Sequence, residues 1–293
     1  MLKTERMDRV RAALRAQGLT QMIVCDPKSV WYLTGVSVEP YERLLALYLP
    51  TEGEPVLFLN RLFNVPEPPC RTVWHTDTDK PVAQIAEVVD AGRPLGIDKE
   101  WPAKFLIPLM ETHPGMQVVL SSDCVDDCRA CKDAEEQTLM REASRINDAV
   151  NEAAKHYIKA GMTEREVAEF IGAQFRAHGC EGPSFTTIVS FGANTADPHH
   201  EPDDTVLNEG DCVLFDMGCV KSRYCSDMTR TWFCGQPTEK QAAVHDLVRR
   251  ANEAAEALIK PGVRLCELDA AARGLITEAG YGAYFNHRLG HFI

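Results

Sequence analysis

The 293-residue chain has no apolar run fit to cross a bilayer: its longest, around Leu44 to Leu49, falls far short of the ~20 residues that a spanning helix needs. Positive charge is also scarce. Its 31 Lys and Arg face 43 Asp and Glu, a formal charge of −12, so nucleic acid and anionic membrane surfaces are repelled and neither is expected as a partner. No apolar leader opens the sequence, because MLKTERMDRVRAALRAQG reads as a charged amphipathic helix rather than a secretory signal. Internal repeats and low-complexity tracts are missing too. With 25% charged and 45% hydrophobic residues, the composition is that of an ordinary soluble globular protein. Eleven cysteines stand out against these absences. Without an export signal they point to free thiols in a reducing cytoplasm, the expected location.

Cys124, Cys128 and Cys131 have the C-x3-C-x2-C spacing of thiolates that hold an iron–sulfur cluster. The motif lies mid-chain, however, and Ala130 stands where an aromatic residue usually precedes the third cysteine. The preferred reading is three thiols on a polar link beside Arg129 and Lys132.

The length exceeds one average domain, so two separate cores are expected. Helix and strand signals alternate in the first half. Met7, Val10 and Leu14 recur at helical spacing up to Gly18, and Gln21 to Cys25 reads as a strand. Leu44 to Leu49 and Pro55 to Leu59 flank a turn and form a hairpin. A helix near Val82 to Ala91, a strand at Leu95 to Asp98, a helix near Ala103 to Glu111 and a strand at Gln117 to Leu120 complete a sheet covered by helices. Beyond the polar stretch Ser121 to Asp133, a long amphipathic helix runs from Ala134 to about Ala160. Thr163 with Glu166, and Thr238 with Gln241, are capping boxes that open further helices, which stop at Gly179 and at Pro261-Gly262. Another helix covers about Cys266 to Ala279. The expected architecture is an α/β domain over 1–130 and an α+β domain over 131–293.

The chemistry begins with two aspartates, Asp216 and Asp227, in FDMGCVKSRYCSDMTRTWF. Val213 to Met217 and Met228 to Phe233 read as the strands of a hairpin. Carboxylates on one face of such a ladder come within roughly 5 Å of each other at Cβ. Two anions that close are costly to desolvate unless one is protonated or a cation lies between them. Divalent metals supply the cation, and a pair about 4 Å apart is a known solution for hydrolysing amides. With His291 further along, the trio reads as half of a metal site. The plainer alternative is a solvated aspartate at each mouth of the hairpin.

Several blocks, taken together and in order, resemble the Xaa-Pro peptidase family, the prolidase and aminopeptidase P group of pita-bread metallopeptidases. RVRAALRAQGLTQMIVCDPKSVWYLTG resembles the opening of a creatinase-like N-terminal domain, and RACKDAEEQTLMREASRINDAV the entry to the pita-bread domain. PSFTTIVSFGANTADPHH, FDMGCVKSRYCSDMTRTWFCG and FNHRLGHFI follow in the family's order. The resemblance implies a creatinase-like α/β domain followed by a partial pita-bread α+β domain. It implies that Asp216, Asp227 and His291 bind two divalent ions, manganese, cobalt or zinc, with Asp227 bridging them. His199 is implied to contact substrate near the scissile bond, with His200 as its rival or else a solvated loop residue. His287 is implied to line the cleft, catalytic or structural. Phe185 and Ile188 are implied to receive the proline ring, and Thr229 to orient Asp227. The implied partner is a small peptide with proline after the scissile bond, acted on by a homodimer.

Two readings from other classes remain open: a metal-free creatinase-type hydrolase of a small amidino compound, and a non-catalytic peptide-binding module. Retention of both aspartates and His291 argues against the first. The family's site also includes two glutamates and a further histidine beyond the block around His291, whereas this sequence ends at Ile293. The resemblance thus leaves three of five expected ligands and implies a fragment with weak metal affinity and little peptidase activity. Fast turnover of a dipeptide ending in proline by the 293-residue chain would overturn that expectation.

Overall fold

The structure, a computed structural model, describes residues 2–292. The chain divides into two compact units, one ending at Lys132 and the other beginning at Asp133.

In the first unit, α1 (Thr4–Ala16) buries Met7, Val10 and Leu14 along one stripe. All of β1 (Gln21–Val24) is buried, as befits a strand covered on both faces. Asp26 then caps α2 (Pro27–Thr34) by accepting from the Lys28 and Ser29 N–H groups, and Pro27 sits in the first turn, where its missing N–H costs nothing. There follow β2 (Ala46–Pro50), β3 (Val56–Asn60), β4 (Arg71–His75), α3 (Pro81–Ala86), β5 (Leu95–Ile97), α4 (Ala103–Thr112), β6 (Val118–Leu120) and α5 (Asp123–Ala130). The strands form one sheet in the order β4-β3-β2-β1-β5-β6. β1, β2 and β3 are antiparallel; β4 adds in parallel to β3, and β5 and β6 add in parallel beyond β1. Strand alternation splits the core in two. Met22 and Val24 join a cluster with residues of α1, α2 and α5, while Ile23 joins one with residues of α3 and α4.

Three local expectations change here. The helix expected to reach Ala91 ends at Ala86. Near its far end the Gln21 side-chain amide pairs with the Asp90 backbone, donating to its carbonyl at 2.7 Å and accepting from its N–H at 2.9 Å, which takes that backbone away from helical bonding. α2 and β4 were not anticipated. The stretch taken as a link contains α5, which buries Cys124, Val125 and Cys128. Burial, aided by the charge of Asp123, pushes the Cys124 thiol up to about 11, and Cys124 and Cys128 pack into the core of the first unit with residues of α1 and α2.

In the second unit, α6 (Ala134–Tyr157) and α7 (Glu164–Ala177) each open on a complete capping box, from Asp133 with Glu136 and from Thr163 with Glu166. β7 (Gly182–Pro183) and β8 (Ile188–Phe191) lead through a single 3-10 stretch, Gly192–Ala196, to β9 (Cys212–Met217). β10 (Cys219–Lys221), β11 (Tyr224–Cys225) and β12 (Met228–Phe233) come next, then α8 (Glu239–Glu256), capped by Thr238, and α9 (Leu265–Glu278). α6 and α7 cover the sheet β12-β9-β8 through a core that includes Val150, Val167, Phe175, Phe191 and Phe215. α8 and α9 pack on each other around Ala251, Ala255, Ala272 and Ile276. Among the described residues no helix is long and apolar enough to cross a membrane.

The single hairpin expected between the aspartates is interrupted. β9 pairs with β12, but the residues between them leave that sheet as β10 and β11, and β10 pairs with both β11 and β7 in a second one. Gly218 is the pivot. Ser184 donates from its N–H to the Gly218 carbonyl and from its hydroxyl to the Ser226 carbonyl, at 3.0 and 2.8 Å. The Cys219 N–H reaches the Ser226 hydroxyl at 3.0 Å. A Cβ on Gly218 would lie 1.9 Å from the Ser226 carbonyl oxygen and 2.1 Å from the Ser184 hydroxyl. Gly218→Ala is therefore expected to cost about 1–3 kcal/mol in urea unfolding through overpacking. Gly274→Ala, in α9 with nothing within 4 Å of the added carbon, should gain about 1 kcal/mol from helix propensity. Equal midpoints for the Gly218 variant and its parent would refute the close-approach account.

Candidate metal centre

β9 alternates: Val213, Phe215 and Met217 are buried, while Cys212, Leu214 and Asp216 are half-buried on the opposite face. In register, Asp216 stands between Ile188 of β8 and Thr229 of β12, so these residues form a row across the sheet. Asp227 precedes Thr229 by two positions, just before β12 begins. It is thus a diagonal neighbour of Asp216 on the same face, and Thr229 occupies the position directly opposite.

Burial raises the Asp216 carboxyl above its ordinary range, and the negative charge of Asp227 pushes the same way; a Thr229 hydrogen bond and His291 oppose them. Its Oδ1 is buried without a hydrogen-bond partner among the described residues. A desolvated carboxylate with an idle oxygen calls for a proton or a cation. His291 Nε2 lies 3.4 Å from Asp227 Oδ2, the side chains being 46% and 27% exposed. The Nδ1 of His291 is 2.9 Å from the Phe292 carbonyl. A carbonyl can only accept, so Nδ1 carries the proton there, and Nε2, the nitrogen facing Asp227, keeps its lone pair in the neutral ring. Two carboxylates and one imidazole nitrogen fit a divalent ion of the manganese, cobalt or zinc type.

α9 holds the segment that presents His291. Arg273 donates to the carbonyls of Phe285 at 2.6 Å and His287 at 2.9 Å, and its guanidinium lies 4.4 Å from the centre of the Phe285 ring. Its Nε donates to Asp269, one helical turn earlier, at 2.7 Å, while Asp269 accepts from the Leu289 N–H at 2.9 Å. The Arg273 hydrogen bond holds the Asp269 carboxyl below its usual range, helped by the Leu289 N–H. With a depressed folded pKa, this latch contributes fully above the ordinary carboxylate value of about 4 and is lost as pH falls through the folded value. Sequence reasoning missed both residues. An Asp and an Arg four apart on a helix read as an ordinary surface pair.

The remaining candidates lie nearby in sequence. Phe185 and Ile188 are half-buried, Phe185 in the link between β7 and β8. His287 is exposed, with Nδ1 2.8 Å from the Arg288 carbonyl. His199 is exposed and its N–H donates to Asp197 at 2.9 Å. His200 is no solvated loop residue: its Nε2 lies 2.6 Å from Oε2 of Glu164, which is fully buried. Glu164, His200 and Asp203 also bring potential ligand atoms within 4.8 Å of one another. Neither Glu164 nor Asp203 was singled out from the sequence, where Glu164 is hidden inside a capping box whose acid is Glu166.

With this geometry in hand, the relatives are informative. The profile of metallopeptidase family M24 matches residues 138–293, and that of the creatinase/prolidase N-terminal domain matches residues 6–131. An uncharacterized peptidase of Staphylococcus aureus is 35% identical over 279 residues, covering 92% of this chain and 77% of its own length. The solved prolidase of Thermococcus sibiricus matches with a TM-score of 0.91 at 31% identity, over 99% of this chain and 82% of its own. The dipeptidase PepE of Mycobacterium ulcerans gives 0.91 at 32%, over 98% and 80%. The fold is thus the expected creatinase-like α/β domain followed by a pita-bread α+β domain.

Asp216→Asn removes a half-buried charge and should raise the unfolding free energy in chelator by about 1 kcal/mol. It should also abolish the stabilisation that manganese gives the parent, about 3 kcal/mol at a hundred times the dissociation constant. A manganese shift that survives in the variant sinks the metal assignment. Arg273→Met should weaken manganese binding about tenfold by freeing the His291 segment, as read by titration calorimetry; unchanged affinity would exclude the latch.

Proposed function

This chain belongs to metallopeptidase family M24, and we propose that it hydrolyses the X-Pro bond of dipeptides or short peptides using two divalent ions. The reading rests above all on the unpartnered, buried Oδ1 of Asp216 beside Asp227 and His291. These three side chains would hold the ions, manganese, cobalt or zinc. Ions bound there supply Lewis acidity, which makes a water nucleophilic near neutral pH and polarises the scissile carbonyl.

The protein's own residues do the rest. An X-Pro bond has no N–H, so its peptide cannot be read as a hydrogen-bonded strand and must be recognised by shape. Ile188, in register beside Asp216, and Phe185 offer half-buried apolar surface for the proline ring. Thr229, expected to orient Asp227, stands instead directly across the ladder from Asp216, whose carboxylate it favours in the ionised form and would help to orient. His199 donates to the substrate carbonyl oxygen as negative charge builds on it, and His287 lines the same cleft. The similar Thermococcus and Mycobacterium proteins are a prolidase and a dipeptidase, which supports the class.

The test compares Ala-Pro with Ala-Ala at high enzyme concentration in manganese. Ala-Pro should be preferred, and Phe185→Ala should raise its KM about tenfold with metal content unchanged. Equal turnover of the two dipeptides would remove proline from the assignment, and an unchanged KM would remove Phe185 from the pocket.

A further inference from the structure

We infer that Glu164 and His200 form a buried anchor that positions the turn carrying His199, a role that rests on the peptidase reading above. Glu164 opens α7, yet the cap of that helix is made by Thr163 and Glu166, which leaves the Glu164 carboxylate for other work. It is 0% exposed. Oε1 accepts from the Phe191 N–H at 2.7 Å and from the Asn194 amide at 3.0 Å. Oε2 accepts from the Asp203 N–H at 3.1 Å and lies 2.6 Å from His200 Nε2. The donors come from both ends of one excursion, the stretch from the last residue of β8 to Asp203. The first turn of α7 grips the return as well. Glu164 N–H donates to the Thr205 carbonyl and Arg165 N–H to that of Asp203, each at 3.1 Å, and Arg165 pairs with Asp204 at 3.1 Å. These N–H groups have no partner within a helix, so the excursion satisfies them.

His199 sits near the apex of this clamped segment. Its backbone is pinned by Asp197, and its exposed imidazole makes no hydrogen bond among the described residues. His200, its neighbour, points the other way into the protein, with 14% of its side chain exposed. The two histidines thus divide the labour, one held and one presented.

A cation shared by Glu164, His200 and Asp203 fits these distances poorly. Two ligands about 2.0–2.2 Å from one ion are held roughly 3 Å or more apart by its coordination angles, whereas Nε2 and Oε2 stand at 2.6 Å, the separation of a strong charge-assisted hydrogen bond. Both Glu164 oxygens are also already engaged. What this arrangement demands of position 200 is a donor at the reach of Nε2, not an imidazole as such.

The experiment uses the full chain with His200→Leu, which removes the donor, and His200→Gln, whose amide can restore it. One readout needs neither metal nor turnover: the rate at which diethyl pyrocarbonate modifies His199, followed by mass spectrometry. In His200→Leu this rate should change by about threefold or more as the turn loosens. In the same variant kcat for Ala-Pro should fall about tenfold to a hundredfold through misplacement, with KM and manganese affinity near the parent's. His200→Gln should bring both His199 reactivity and kcat back to within about threefold of the parent. Should His200→Leu fail to fold, His200→Asn, whose amide falls short of Glu164, takes its place. The inference is overturned if the donor-less variant leaves His199 reactivity at the parent value, or if His200→Gln loses as much as His200→Leu. If the parent does not cleave Ala-Pro, the peptidase reading fails, while the reactivity comparison still decides the anchor.

Discussion

Asp216 sits on a half-buried sheet face with one carboxylate oxygen lacking a donor among the described residues, and the groups around it bear on the cost of that charge. Burial and the neighbouring Asp227 both disfavour its ionised form, while Thr229 and His291 favour it. A protein gains nothing from arranging two anions on adjacent strands unless something positive offsets their repulsion. The excursion through β10 and β11 serves the same arrangement: it brings Asp227 back to the sheet just before β12, and the crowded crossing at Gly218 and Ser226 sets where it returns. An ordinary two-residue hairpin between β9 and β12 would have no room for this.

Much of this was legible in the sequence because the relevant signals are local. Capping boxes at Thr163 and Thr238 need only four consecutive residues, and both helices begin where those residues say. Alternation along FDM and MTRTWF places Asp216 on the face away from the buried Phe215. The aspartates, His291, Phe185 and Ile188 were nameable from blocks of sequence. Long-range pairing was not. Gln21 captures the Asp90 backbone across 69 positions and shortens a helix. The cysteines of α5 looked like a linker because Asp123, Asp126, Asp127 and Arg129 dominate their composition, although Cys124 and Cys128 turn inward at helical spacing. Glu164 and Arg273 escaped for a similar reason: each sits in a helix pattern that already explains an acidic or basic residue there.

The carboxylates and the histidines are supported by different means, and the difference bears on how such a site is built. Asp216 rides on a paired strand and Asp227 abuts one, so ladder hydrogen bonds locate their backbones. His199, His287 and His291 lie on irregular segments with no ladder of their own, and each such segment is instead tied down by a charged side chain from a neighbouring helix: Glu164 of α7 for the first, Arg273 with Asp269 of α9 for the others. Charge-assisted bonds to backbone groups are strong and directional, which lets a loop be placed almost as firmly as a strand. They are also few, so one substitution can release a whole segment while leaving the carboxylate pair where it was. The electrostatic centre and the groups that approach it are therefore separable by mutation. A design in which all these side chains came from one sheet would not have that property.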